Sequence, residues 1–215
     1  MKDWVAWHSA YDEHGSALRE RLDLVTGHLA RALDRAPPGQ IRLLSLCAGQ
    51  GRDVLQVLPG HPRKRDVAAL LVESNPANVG LARQKAADAG LSEVRVREAD
   101  ASFVASFDDR LPVDVLLLAG IFGNVNDADI KRTIDAAPAL CTRGATVIWT
   151  RHRRPPDVTG PIRSWFASAG FDEVAFDELE SESLASVGVH RLARECAGRL
   201  PDAGDLLFTF GSHLA

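Results

Sequence analysis

An α/β fold built on a mostly parallel sheet is what this sequence predicts, and three observations carry the prediction. The apolar run Leu43-Leu44-Ser45-Leu46 ends in Cys47-Ala48-Gly49-Gln50-Gly51-Arg52-Asp53 and opens into Val54-Leu55, which reads as strand, glycine turn and helix. Strand-like and helix-like stretches then alternate down the chain, the pattern of a doubly wound sheet. Towards the end, Phe171–Phe176 and Ser186–Leu192 are two strand-like runs whose link is too short for a parallel crossover, so they form an antiparallel hairpin.

The elements follow in order. Residues 3 to 35 carry apolar positions at helical spacing (Leu18, Leu22, Val25, Leu29, Leu33) and stop at Pro37-Pro38-Gly39, giving a helical segment within 1–40. Ile41–Leu46 is the first strand, followed by the glycine turn and a short helix through Leu58, closed by Pro59-Gly60. Ala68–Val72 is the second strand and ends at Glu73; Asn75 then caps a helix with Pro76 in its first turn and a stop near Gly90. Val94–Arg97 alternates as a third strand leading to Glu98-Ala99-Asp100, and Val113–Leu118 is apolar enough to be covered on both faces. A helix from Asp127 to about Ala136, with Ile130 and Ile134 inward, precedes a fifth strand at Ala145–Thr150. Thr159 as cap, with Pro161 after it, opens a helix that Gly170 closes, and Leu206–Phe210 either adds a short strand or packs over the core.

Composition bounds the function. At 215 residues, 46% hydrophobic and 25% charged, the chain makes one substantial core, with 41–215 as a single globular unit behind the N-terminal segment. A net charge of −4 without a basic tail points to a small-molecule partner and away from nucleic acid. No apolar run reaches about 18 residues, and Met1-Lys2-Asp3-Trp4 lacks the basic flank and apolar core of a signal peptide, so a soluble, cytoplasmic protein without a membrane partner is expected. Cys47, Cys141 and Cys196 are widely separated, which suggests reduced thiols, no disulfide framework and no metal site.

Three strand ends carry the residue types that a nucleoside needs. Glycines let a backbone approach a ligand closely, and a helix N-terminus offers unpaired N–H groups to its oxygens. Glu73 stands about 20 residues beyond the glycine turn, the interval at which a Rossmann-type unit places its ribose-binding acid. Asp100 follows the third strand, and Ala119-Gly120-Ile121-Phe122-Gly123-Asn124 forms a glycine-bearing turn after the fourth, in which Gly120 and Asn124 are candidate cofactor or acceptor contacts.

With these features the sequence resembles the class I S-adenosylmethionine-dependent methyltransferases from about Ile41 to Leu192. The resemblance implies a Rossmann-like three-layer sandwich whose seven-stranded sheet is ordered 3-2-1-4-5-7-6, with strand 7 antiparallel. It implies S-adenosyl-L-methionine as cofactor, its methionine end at Ala48, Gly49 and Gly51, its ribose at Glu73 and Ser74, and its adenine at Asp100 and Ala101. The chain departs from the family pattern in having Ser45 where an acid is usual and Cys47 where the first glycine is usual.

Chemistry beyond the cofactor has two sources. Methyl transfer is an in-line displacement that needs alignment and exclusion of water, and sometimes a base. Thr150-Arg151-His152-Arg153-Arg154 gathers guanidinium groups around an imidazole, making His152 a candidate base and Arg151 and Arg153 candidate acceptor contacts; alternatively these charges face water or cap helix ends. Trp4, Trp7, His8 and Tyr11 fall on one helical face, where His8 and Tyr11 are candidates for an acceptor pocket and ordinary packing is the alternative. Cys47 reads as a small packed residue rather than a nucleophile. A nicotinamide-dependent oxidoreductase fits less well, because Val54 stands where its fingerprint has a third glycine; a binding protein without turnover remains the other alternative.

Overall fold

A computed structural model describes residues 16–181, 183–194, 198–202 and 204–211. Helix α1 (Ala17–Arg35) begins at Ser16, whose hydroxyl accepts the Arg19 amide at 3.2 Å. Its inward face is Leu22, Val25, Leu29, Ala32 and Leu33, at the spacing that the sequence shows. The N-terminal part of the expected helical segment, with Trp4, Trp7, His8 and Tyr11, lies outside the described residues.

Seven strands form one sheet: β1 (Ile41–Leu46), β2 (Val67–Glu73), β3 (Val94–Glu98), β4 (Val113–Leu118), β5 (Cys141–His152), β6 (Phe171–Glu178) and β7 (Ala185–Leu192). Their order is β3-β2-β1-β4-β5-β7-β6, with β7 antiparallel to both neighbours and the other pairs parallel, as the resemblance implies. The central strands are covered twice. Leu43, Val115 and Leu117 meet α1, α2 (Arg52–Val57) and α3 (Pro76–Asp88) on one face. Leu44, Leu116 and Leu118 meet α4 (Asp127–Leu140) and α5 (Thr159–Ser168) on the other. Two-sided burial explains why these strands read as unbroken apolar runs. Among the described residues no helix is long and apolar enough to cross a membrane.

Three boundaries differ from expectation. β5 is longer at both ends than 145–150: an irregularity in its pairing with β4, where Gly144 takes φ +82°, carries it back to Cys141, and pairing with Ser186 and Ala185 carries it on to His152. Helix α4 continues past Ala136 and through Pro138 to Leu140; the proline removes one late intrahelical bond while Ala137 and Leu140 stay fully buried. Thr159 is the first residue of α5 rather than its cap, its N–H and hydroxyl donating to the Asp157 carboxylate at 2.9 and 2.8 Å. The segment from Leu206 packs over the core rather than adding a strand, with Leu207 and Phe208 buried and one isolated bridge between Leu206 and Phe103.

Candidate functional site

The carboxyl ends of β1 to β4 surround a cavity of about 520 Å³, within the size range of small-molecule sites. The turn after β1 forms one wall. Cys47, Gly49 and Gly51 have φ of +51°, +56° and +64°, so the chain coils left-handed here, and Cys47 does so against the preference of a residue with a Cβ. Backbone bonds hold the turn: the Ala48 N–H donates to the Val72 carbonyl at 3.0 Å, and the Gly51 N–H to the Ala48 carbonyl at 2.8 Å.

Glu73, at the end of β2, joins this wall to the next. One carboxylate oxygen accepts the Gly49 N–H at 2.7 Å and the other the Asn75 N–H at 2.8 Å. A carboxylate has about four lone-pair sites, so each oxygen keeps acceptor capacity after these bonds. Asn75 also caps α3, its side-chain oxygen accepting from Ala77 and Asn78 at 3.0 and 3.2 Å. Beyond β3, Asp100 is exposed and accepts the Ser102 N–H at 2.9 Å, with Ala101 buried beside it. Beyond β4, the Gly120 N–H donates to the Thr150 hydroxyl at 2.8 Å, and the Asn124 side-chain amide closes the turn onto the Gly120 carbonyl at 2.7 Å.

Ala48, Gly49, Glu73, Ser74, Asp100, Ala101, Gly120 and Asn124 therefore lie together on one cavity wall, as does Cys47. Burial, reinforced by the negative Glu73 and Asp100, pushes the Cys47 thiol well above its ordinary value and keeps it protonated. Gly51 is not on the wall. A Cβ there would meet Leu71 Cδ2 at 2.7 Å, so its role is to let α2 start tightly against β2.

The cluster at the end of β5 is not on the wall either. The Arg151 guanidinium donates to the Phe122 carbonyl, and Arg153 donates to the Leu179 carbonyl at 2.9 Å and pairs with Glu178 at 3.3 Å. His152 accepts the Arg154 N–H at Nδ1, 3.3 Å away. Pairing of β5 with β7 through Arg151 and His152 fixes these side chains beside the cavity and not in it. His8 and Tyr11 lie outside the described residues.

Among the lining residues that the sequence did not point to are two buried acceptors, Asp53 and Asn78. Asp53, in the first turn of α2, is 8% exposed, and burial pushes its carboxyl up to about 6 against the opposing bonds from its own and the Val54 N–H. Asn78, in the first turn of α3, is 2% exposed, and its side-chain oxygen has no hydrogen-bond partner among the described residues. An unpaired buried acceptor is costly, so a cavity bearing one is suited to a ligand with donors. The readable signal for Asp53 is the missing acid at Ser45, which leaves the glycine turn without a carboxylate until position 53. Arg21, Leu22 and Val25 of α1 complete that end of the cavity, and Phe208 and Phe210 the other side.

Solved structures share this architecture. CurJ carbon methyltransferase superposes with a TM-score of 0.64 at 17% identity, over 80% of this chain and 54% of that one. An O-methyltransferase family protein from Burkholderia thailandensis gives 0.61 at 18%, over 81% and 56%. This is the class I methyltransferase fold. Precorrin-6y C5,15-methyltransferase from Geobacter metallireducens GS-15 has it too, with a TM-score of 0.56 at 14% identity over 76% of this chain and 86% of that one. At these identities the likeness is one of fold, and the chain spans just over half the length of the first two proteins. No protein-family profile matches the chain, and no curated protein matches it in sequence.

Proposed function

We propose that the chain is an S-adenosylmethionine-dependent methyltransferase acting on a small-molecule acceptor, with methyl transfer by in-line displacement. The observation that carries this reading is the Glu73 carboxylate, pinned by the Gly49 and Asn75 amides yet open to further donors, in one cavity with Asp100 and the turn after β4.

The donor and acceptor set fits the cofactor. Glu73 with Ser74 takes the ribose hydroxyls, Asp100 with Ala101 the adenine, and Ala48 with Gly49 the methionine end. Asp53 and the Asn78 oxygen take the ammonium group, which supplies a positive charge to the buried carboxylate and an N–H donor to the amide oxygen that has no partner among the described residues. When bound, S-adenosylmethionine supplies a methyl group on a sulfonium, already electrophilic. What the chain then contributes is alignment and exclusion of water, in a cavity closed by α1 on one side and Phe208 on another. Gly120 and Asn124, in a turn held to Thr150, line the part of the cavity nearest β5 and serve as cofactor or acceptor contacts. A cavity of small-molecule size and the net charge of −4 support a small-molecule acceptor over nucleic acid.

A second reading, a cofactor-binding protein without turnover, draws on one specific feature: among the described residues no histidine lines the cavity, His152 included. Incubation with methyl-labelled S-adenosylmethionine and a small-molecule library separates the two. The methyltransferase reading predicts label in a small-molecule product; label that never leaves a cofactor that nonetheless binds supports the second reading.

A further inference from the structure

Residues 206–211 belong to none of the seven strands and five α-helices, so their backbone groups must find partners elsewhere in the fold. The first turns of α4 supply several. The Thr209 N–H donates to Asp129 Oδ2 at 2.8 Å, and the Thr133 hydroxyl reaches the Leu207 carbonyl at 3.3 Å. Arg132 donates to Asp129 Oδ1 at 2.7 Å and to the Leu206 carbonyl at 3.4 Å. Two further bonds run to the loops at the cavity: the Leu207 N–H donates to the Ser102 carbonyl at 2.9 Å, and the Gly211 N–H to the Asn124 carbonyl at 2.6 Å.

Asp129 is the buried centre of this arrangement. It is 4% exposed and does not line the cavity; with Arg132, Leu206 and Thr209 it lines a separate groove, whereas Phe208, between the last two, is on the cavity wall. A negative charge is favoured at the start of a helix, which accounts for an acid here but not for its second oxygen being committed to a backbone N–H 80 residues away in sequence. A charged acceptor holds such an N–H more strongly than a neutral one. In the sheet β3 and β4 are separated by β2 and β1, so the segment ties together two loops that the sheet leaves apart.

We infer that Asp129 is a positioning residue for the cavity: its carboxylate fastens residues 206–211 to α4, and the fastened segment sets the spacing between the loop at Asp100–Ala101 and the turn at Gly120–Asn124. The inference rests on the proposed function in taking the cavity as the ligand site. Asp129 lies off the cavity wall and acts through Thr209, Phe208 and Gly211. Without its carboxylate the Thr209 N–H loses its acceptor and the segment loosens, so ordering the two loops draws on the free energy of ligand binding.

The test uses the full chain with S-adenosylhomocysteine as probe, and compares the parent with Asp129→Ala, Asp129→Asn and, as the baseline for losing an acid from the same helical turn, Asp127→Ala. Asp129→Asn keeps a side-chain oxygen for the Thr209 N–H, and the Arg132 side chain, 48% exposed, can turn to water. Affinity is expected to fall about tenfold in Asp129→Ala and to stay within about threefold of the parent in Asp129→Asn and Asp127→Ala. In hydrogen exchange of the free protein, the Thr209 and Gly211 amides speed up in Asp129→Ala while those of Ile134 and Ala137, further along α4, hold their rate. In the parent the same two segment amides slow when the probe saturates the cavity. Unchanged affinity in Asp129→Ala, failure of Asp129→Asn to recover it, or exchange that accelerates equally in α4 and in the segment overturns the assignment. So does parent exchange indifferent to the probe, a measurement that stands even if Asp129→Ala does not fold. A parent that binds no S-adenosylhomocysteine overturns the functional reading beneath, a result distinct from a parent that binds it with an affinity that Asp129 does not influence.

Discussion

At the ends of β1 to β4, amides and carboxylates surround an open cavity of about 520 Å³, while at the end of β5 Arg151 and Arg153 are taken up by the carbonyls of Phe122 and Leu179. Further into the β5 half the interior is solid. Trp149 lies so close over Gly188 that a Cβ there would come within 2.2 Å of the indole, and it stacks with Phe166 and His190 at centroid distances of 6.2 and 6.1 Å. Both halves place polar residues at strand ends. They differ in whether those residues keep unused hydrogen-bonding capacity facing a void, and that is what separates a binding site from a structural cluster. Substitutions in the first half should therefore alter ligand affinity, and those in the second should alter stability.

His190 offers the largest effect. Its ring nitrogens are buried without hydrogen-bond partners among the described residues, and burial pulls its pKa down to about 4 from an ordinary value of about 6.5. The folded state holds the neutral ring, so between these values the unfolded chain binds the extra proton. The stabilising contribution is therefore complete above about pH 6.5 and is lost as pH falls towards 4, by about 3 kcal/mol. His190→Leu is expected to flatten that part of the acid-unfolding curve, followed by denaturant titration at several pH values, with cofactor affinity unchanged. An altered affinity breaks the division between the halves.

In the open half, Glu73→Gln keeps an acceptor for the Gly49 amide and removes the charge. It is expected to weaken S-adenosylhomocysteine binding by about 2 kcal/mol, roughly 30-fold, measured by calorimetry. Asp53→Asn sharpens the contrast within that half. Affinity for S-adenosylhomocysteine is expected to drop about tenfold, whereas 5′-methylthioadenosine, which lacks the amino-acid end, binds as before. The parent's preference for the first ligand should shrink below about pH 6, as Asp53 gains its proton. The smallest effect belongs to His152→Ala: with the ring off the cavity wall, affinity and turnover should stay within about twofold of the parent, and a large loss of turnover would place a proton transfer there after all.

Much of the open half is readable from the chain. Strand, glycine turn and helix at 41–57, the Asn75–Pro76 helix start and the acids Glu73 and Asp100 at the ends of β2 and β3 follow from period, capping and turn chemistry, which act over a few residues. Gly51 shows the limit of that reading. A glycine in such a turn can face a ligand or a neighbouring side chain, and only the tertiary approach of Leu71 decides between them. His152 and its arginines present the same limit on a larger scale. Their sequence clusters charge, but the register of β5 with β7 and distant carbonyls at Phe122 and Leu179 determine where that charge goes. Asn78 and the segment at 206–211 join the site through the tertiary fold, which no local pattern encodes.

Titration of the full chain with S-adenosylhomocysteine and, separately, with NAD by calorimetry addresses the cavity most directly. The account predicts saturable one-to-one binding of S-adenosylhomocysteine and no saturable heat from NAD. Saturation by NAD instead, or by neither ligand, would contradict it.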